Sequence, residues 1–478
     1  MTSRSAGALA LLALLLSLAP AAPASATAAA VPPHPRLIMN ATRLAEVTAF
    51  VASNAQARRY FAALEAQGAY VLGTTPLPRP PENASDILMA ARTVLTRVTV
   101  TSLLYRLTGN TTYAARAGAE LLSIAAWQDW DIVKHALDAG ELSLAAAVGL
   151  DWCYDALSAA DRAAVVAGIV AKSGEAFRAA YEAGPHGASW WTCDASNWAQ
   201  VTNGGAAVAA LAIMGEAGVP AWYAELLANA TAGVRCSAEA GDAFGGGFAP
   251  DGAWWEGPIY AGYSERYFVP FASAMESALG DSSFFATPGL SLAAAYQTRV
   301  MGPAPAYAYF NWADAEEGQE TLSMLLAVAA RSKDAAAAYT LRDRLDAVAA
   351  SIVPAQIDSG NQAAMEFAHA LIYFTDLGSA ADRDAQPLDL AVPEKKLALL
   401  RSSWSDPNAS FVGVKACNCS WNHGDLDAGT FVLSWGGQRE WRPQNPDANL
   451  PTHPRQPACP ALPSRKPFSY RLGLGPRS

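Results

Sequence analysis

Residues 139–184 read AGELSLAAAVGLDWCYDALSAADRAAVVAGIVAKSGEAFRAAYEAG. Apolar side chains recur there at three- and four-residue intervals, a spacing that gathers them on one face of an α-helix. Ser158 interrupts the pattern and is a favoured N-cap, so the stretch predicts one helix ending near Leu157 and a second starting just after Ser158. Two amphipathic helices joined by so short a connection pack as an antiparallel pair.

The same texture extends outward from about Ala41 to Thr375. The segments ATRLAEVTAFVASNAQARRYFAALEAQ, SDILMAARTVLTRVTVTSLLYRLTG (with Ser85 as its cap), TTYAARAGAELLSIAAW and AAAAYTLRDRLDAVAASIV all carry helical spacing, punctuated by Gly, Pro, Asn and Asp. Roughly ten or more paired helices exceed a single bundle and predict an α-solenoid or an α/α toroid. After Ala385 the pattern shifts to short β-rich runs such as LALLR, SFVGVK and GTFVLSW, separated by Pro, Asp and Asn. Beyond Trp441 the chain is Pro-rich and follows neither period.

The N-terminus, MTSRSAGALALLALLLSLAPAAPASA, has the basic start, short apolar stretch and small-residue end of a secretory signal peptide. The later apolar run Trp198–Met214 is broken by Gln200, Thr202, Asn203 and two glycines, so no membrane span is expected. Net charge is −10 with no basic run, which argues against a nucleic-acid partner but leaves room for an anionic substrate in a local basic cleft. Sequons at Asn40, Asn83, Asn110, Asn229, Asn408 and Asn418 are candidate glycan sites, and six cysteines in an oxidising compartment leave the disulfide pairing open. Cys417 and Cys419 lack a second Cys or His pair at zinc spacing, and no metal is expected there.

Four stretches concentrate chemistry: WQDWDIVKHALDAGELSLAAAVGLDWCYDALS (127–158), SWWTCDASNWAQVTNGGAAVAALA (189–212), PDGAWWEGPIYAGYSERY (250–267) and NHGDLDAGTFVLSWGGQREW (422–441). With HPRLIMNATRLAEV (34–47), their order resembles the heparinase II/III-like polysaccharide lyases and the related uronate epimerases. The resemblance implies a mainly α fold, an incomplete α/α toroid of paired helices over residues 35–385, followed by a partial antiparallel β-sandwich over 386–441. Residues 1–26 are then the signal peptide and 442–478 a disordered tail.

The implied function is a secreted polysaccharide lyase that cleaves a uronic-acid polymer, glycosaminoglycan- or alginate-like, by β-elimination. Such a protein acts outside the cell or in a lysosomal or other secretory compartment, on an acidic polysaccharide, without a cofactor. In the family an Asn neutralises the uronate carboxylate; Asn197, followed by Trp198, matches it. The residues alone equally suit Asn197 as a helix cap. The family's tyrosine base and acid matches Tyr260, with Tyr263 one helical turn on and Arg266 placed to stabilise a phenolate. His423 matches the β-sandwich histidine that reaches back over the cleft. Metal-containing members read Asn-His-x-His where this chain has Asn422-His423-Gly424-Asp425, so no metal is expected.

Trp127, Trp130, Trp190, Trp191, Trp198, Trp254 and Trp255 suit a cleft lined for sugar rings, or an ordinary core. Three alternatives remain: a uronate C5-epimerase, a glycoside hydrolase using Asp251 and Glu256 as its carboxylate pair, or an inactive carbohydrate-binding paralogue. The resemblance also leads one to expect further strands after Trp441. The sandwich is therefore expected to be truncated, its few strands either left with exposed edges or leaning on the toroid, with His423 poorly held and activity weak or absent.

Overall fold

The computed structural model describes residues 31–81, 87–238, 247–304, 306–315, 322–416, 423 and 428–441. The chain divides into two units, Met1–Pro33 and His34–Ser478, and the architecture is that of the second. The expected signal peptide and tail, the cap Ser85, sequons Asn83 and Asn418, and Cys417, Cys419 and Cys459 lie outside the described residues.

The chain is mainly helical. Helices α1 (Ala41–Ser53), α2 (Ala55–Leu72), α3 (Leu88–Thr108), α4 (Thr111–Ala126), α5 (Ile132–Trp152), α6 (Ala159–Ile169), α7 (Glu175–Ala183) and α8 (Asn197–Ile213) come first. They are followed by α9 (Tyr223–Ala238), α10 (Gly257–Leu279), α11 (Leu290–Arg299), α12 (Leu326–Ser332), α13 (Ala335–Val348), α14 (Glu366–Ile372) and α15 (Ala380–Asp384). Ser158 caps α6 as its sequence predicts, its hydroxyl accepting from the Asp161 amide at 3.1 Å. The long first segment is two helices: Asn54 ends α1 and caps α2, its side chain accepting from the amides of Gln56 and Ala57. An asparagine competes with the helix for backbone donors, and here it wins.

Three helices carry the centre. α5 packs against both α3 and α8, and α8 against α10. The α5–α8 contact is close because Gly140 and Gly205 face each other, and a Cβ on Gly205 would lie 2.0 Å from the Gly140 carbonyl oxygen. The HPRL segment before α1 is tied down by Asp151 at the end of α5, which accepts from the Arg36 and Leu37 amides and pairs with His34 Nδ1 at 2.5 Å.

A five-stranded antiparallel sheet follows, in the order β1 (Asp389–Val392), β2 (Leu397–Arg401), β3 (Phe411–Lys415), β4 (Phe431–Trp435) and β5 (Gln438–Trp441). Gly436 and Gly437, both at positive φ, make the two-residue turn between β4 and β5. One face of the sheet packs Val392, Leu397, Leu399, Phe411 and Val432 onto Met301, Tyr309, Phe310 and Trp312. The sheet therefore does lean on the helical region. Its other face carries Leu400, Phe431 and Trp435, which are exposed.

Candidate active site

Asn197 is the first residue of α8, and its position bears on the cap reading. The cap is Ser196, whose hydroxyl accepts from the Trp198 amide, so Asn197 is not the cap. Its side chain is buried and turned toward Glu256, the residue just before α10. The Asn197 backbone amide donates to Glu256 Oε2 at 2.7 Å and its Nδ2 reaches both carboxyl oxygens at 3.1 Å. Trp254 Nε1 adds a third donor to Oε2 at 3.0 Å. Asn197 Oδ1 has no hydrogen-bond partner among the described residues. Burial raises the Glu256 pKa above the usual carboxylate value, against the pull of these donors and of His423.

His423 arrives from the loop between β3 and β4. Its ring stacks on that of Tyr260, with centroids 3.6 Å apart and planes 14° from parallel. Nδ1 stands 2.6 Å from Asp314 Oδ2, and Nε2 is 4.0 Å from Glu256 Oε1. A carboxylate on one ring nitrogen fixes the tautomer and leaves the other nitrogen facing Glu256. Asn197, Glu256, Tyr260 and His423 thus meet in one place, drawn from three separate stretches of sequence. The neighbours Asn422, Asp425 and Asp427 lie outside the described residues.

Tyr260 sits in the first turn of α10, half-buried. Burial, followed by the Asp314 and Glu256 carboxylates, pushes its pKa up to about 12, with Arg92 opposing. Its phenol is therefore protonated at neutral pH, the reverse of what a resting base requires.

Beneath this layer lies a second. Tyr263 is buried and donates to Glu141 Oε1 at 2.6 Å, Arg92 Nε reaches the same oxygen at 3.3 Å, and the Arg92 guanidinium lies 5.0 Å from the Tyr263 ring centroid. Tyr263 is therefore on the core side of Tyr260. Arg266, expected to serve a phenolate, instead donates to Gln362 and, at 2.8 Å, to Glu366 Oε1. Among the described residues the positive charge opposing the rise in the Tyr260 pKa is that of Arg92.

Asp251, the second carboxylate of the hydrolase alternative, accepts from the Ala253 amide at 3.2 Å and from the Glu394 amide at 3.1 Å. Both its oxygens hold backbone. Of the tryptophans, Trp127, Trp130, Trp191 and Trp254 are core residues, whereas Trp190, Trp198 and Trp255 keep part of their surface. Cys193 and Cys236 form a disulfide, and Cys153 is a buried free thiol. No group of three or more His, Cys, Asp or Glu at metal-binding distance occurs among the described residues.

Asp314, Arg92 and Glu141 are the site residues that sequence reasoning missed. Glu141 had a signal: it lies in a largely apolar stretch of α5 between Asp138 and Asp151, and a buried charge demands partners. Asp314 had none, because it meets His423 only through the fold.

No protein-family model matches the sequence, and no curated protein does either. Among solved structures, the chain is similar to heparan sulfate lyase HepC from Pedobacter heparinus, at 16% identity and a TM-score of 0.43, covering 84% of this chain and 64% of that one. A mutant of the same lyase aligns at 15% identity and a TM-score of 0.44, over 85% of this chain and 64% of the other. A heparinase III gene product aligns at 13% identity and 0.41, over 84% and 64%. The chain spans less than two thirds of the length of these structures.

Proposed function

We propose that the chain is a polysaccharide lyase that cleaves a uronic-acid-containing polymer by β-elimination in a secretory or extracellular setting. The observation that carries this reading is the stacked Tyr260–His423 pair standing beside the Asn197–Glu256 cluster. β-Elimination next to a carboxylate needs a proton acceptor, a proton donor and a group that tolerates the charge gathering on the carboxylate. Each has a candidate within this one cluster.

His423, with Nδ1 turned to Asp314, takes the C5 proton through Nε2. As electrons move from the C5–H bond into a C4–C5 double bond, the C4–O4 bond breaks. Tyr260, protonated at rest, delivers its proton to the departing O4; solvent then takes the proton from His423 and returns one to Tyr260, restoring the site. Glu256 in its neutral form donates a hydrogen bond to the uronate carboxylate, and Asn197 Nδ2 fixes its orientation. A charged Glu256 would repel the substrate, so its raised pKa serves the reaction. The same arrangement disfavours the hydrolase alternative, because Asp251 is committed to the backbone. Among the described residues no helix is long and apolar enough to cross a membrane.

The test is incubation of the purified chain with hyaluronan, chondroitin, heparan sulfate and alginate. Ultraviolet-absorbing unsaturated uronates are expected from at least one polymer. Saturated hydrolysis products, or C5 inversion without chain cleavage, would refute the lyase reading.

A further inference from the structure

We propose that the Cys193–Cys236 disulfide and the neighbouring Ser237 position Asn197 against Glu256, and that a small thiol able to open the disulfide lowers the activity of the site. This role rests on the lyase reading above and deepens it, because it names the residues that hold one of the reacting groups in place.

Asn197 opens α8, and both its backbone amide and its Nδ2 donate to Glu256. The amide reaches that carboxylate only while the chain just ahead of it, residues 193–196, keeps its place. The last turn of α9 grips this segment at both ends. Cys193 is bonded to Cys236, with the two Cα atoms 5.5 Å apart, and the buried Ser237 hydroxyl donates to the Ser196 carbonyl at 3.0 Å. The Ser196 carbonyl and the Asn197 amide belong to one planar peptide group. Ser237 therefore holds one side of that group and Glu256 the other. Between the two grips, Asp194 Oδ2 accepts from the Ser196 amide at 2.8 Å and the Ala195 carbonyl accepts from the Gly247 amide at 3.2 Å.

The disulfide stands where a reductant can meet it. Cys193 is exposed and Cys236 half-buried, whereas the free thiol Cys153 is wholly buried. Exposed disulfides are the labile ones, because a thiolate must approach a sulfur to open them. A dithiol such as dithiothreitol closes to its own cyclic disulfide as the Cys193–Cys236 bond breaks, and each cysteine sulfur gains one electron and one proton. The bond also joins residues 43 apart in sequence, and such a cross-link stabilises a fold at large. A local effect at Asn197 must therefore be separated from a general one.

Glu256 supplies the distinction. Burial is the largest influence on its pKa and raises it, while the Asn197 amide, Trp254 Nε1, Asn197 Nδ2 and His423 pull the other way. Donors favour the ionised carboxylate, so loosening Asn197 raises the pKa further. The neutral acid then persists to higher pH, and the alkaline decline in turnover moves to higher pH even as the rate falls. The titratable groups facing this carboxyl are His423, with Nε2 at 4.0 Å, Tyr260 under the His423 ring, and Asp314 behind it. They come from α10, the sheet loop and the segment that seats the sheet, so release of α8 from α9 leaves them where they are. A bond that served stability alone would not shift this limb.

The experiment compares the full chain before and after treatment with dithiothreitol. Hydrogen–deuterium exchange over residues 194–200 reads the peptide that carries the Asn197 amide, and unsaturated-product formation across a pH series reads the site. On reduction, exchange in that peptide is expected to rise by about tenfold while α5 and α10 keep their protection. The kcat should fall by about tenfold, more than KM rises, with the alkaline limb moved to higher pH. The Cys193→Ser, Cys236→Ser double variant should match the reduced protein and ignore the reductant, which assigns the effect to this bond rather than to Cys417, Cys419 or Cys459. Ser237→Ala, with the disulfide intact, should move the same readouts in the same direction, and together with the reduced parent it carries the test should the double variant not fold. Reduced protein that keeps its protection, its turnover and its alkaline limb would overturn the positioning role and leave the lyase reading intact. Protection lost throughout the helices with the limb unmoved would make the bond a general stabiliser and overturn the role as well. A parent that cleaves no polymer, yet loses protection at residues 194–200 alone on reduction, would uphold the positioning of Asn197 and refute the reaction.

Discussion

The imidazole of His423 lies flat on the phenol of Tyr260, their centroids 3.6 Å apart, although one residue belongs to a loop of the sheet and the other to helix α10. The docking of the sheet on the helical region therefore sets the distance between these two rings. Phe310 and Trp312 pack under the sheet, and Asp314 follows them in sequence to meet His423. One short segment thus seats the sheet and orients the histidine.

Tyr260→Phe should remove the proton donor and little else, since the ring and its stack on His423 survive. Elimination is expected to fall by about 10²–10⁴-fold, with oligosaccharide affinity nearly unchanged. Rates of unsaturated product formation, together with binding isotherms for the variant, check this. Parent-level turnover by the Phe variant would remove Tyr260 from the reaction.

Tyr263→Phe should act on stability instead. The phenol donates to Glu141 Oε1, and the other oxygen of that buried carboxylate already lacks a partner among the described residues. Removing the donor leaves Arg92 and the nearby Tyr267 to hold a wholly buried acid, at a cost of about 1–3 kcal/mol. Thermal unfolding should show the loss while turnover falls far less than in Tyr260→Phe. The opposite ranking would exchange the roles of the two tyrosines.

Much of the helical architecture was legible because helix period and caps are local properties, as Ser158 before α6 shows. The break at Asn54 was legible in principle too, since Asn is itself a cap, but the apolar period on both sides concealed it. Tyr260 and His423 are singled out by their place in an order of motifs, and the fold stacks their rings. Their partners are not so singled out, because Asp314 and Arg92 acquire meaning only when distant segments meet. Arg266 illustrates the limit from the other side: it lies two turns beyond Tyr260 on the same helix, yet its guanidinium is drawn to Glu366, where a buried carboxylate offers a full ion pair.

Gly205→Ala tests how the centre is assembled. A methyl group there would stand 2.0 Å from the Gly140 carbonyl oxygen, well inside contact distance, and the neighbour is backbone that cannot rotate aside. α5 and α8 would have to separate, and with them Glu141 from Tyr263 and Trp198 from His135. Overpacking of this kind costs about 1–3 kcal/mol or more. The expected result is a lower unfolding midpoint accompanied by reduced turnover, measured by calorimetry and product formation. An unchanged midpoint would show that the two helices are not in backbone contact.

Glu256 gives a pH dependence whose sign is fixed by its environment. Burial raises its folded-state pKa above the ordinary carboxylate value of 4.5, so the folded protein holds this proton more tightly than the unfolded chain does. The group's contribution to stability is then fully present below the ordinary value and is lost as pH rises through the raised one. Activity should follow the same direction, because only the neutral acid can donate to a uronate carboxylate, and turnover should decline on the alkaline side as Glu256 ionises. Glu256→Gln keeps a neutral donor at that position and still accepts from Asn197 and Trp254. It should retain measurable activity, flatten the alkaline decline and raise the unfolding midpoint at neutral pH relative to the parent. Glu256→Ala should lose both activity and the anchoring of Asn197. Turnover and thermal midpoints for the three proteins across a pH series decide the matter, and a Gln variant whose alkaline limb matches the parent's would assign that limb to another group.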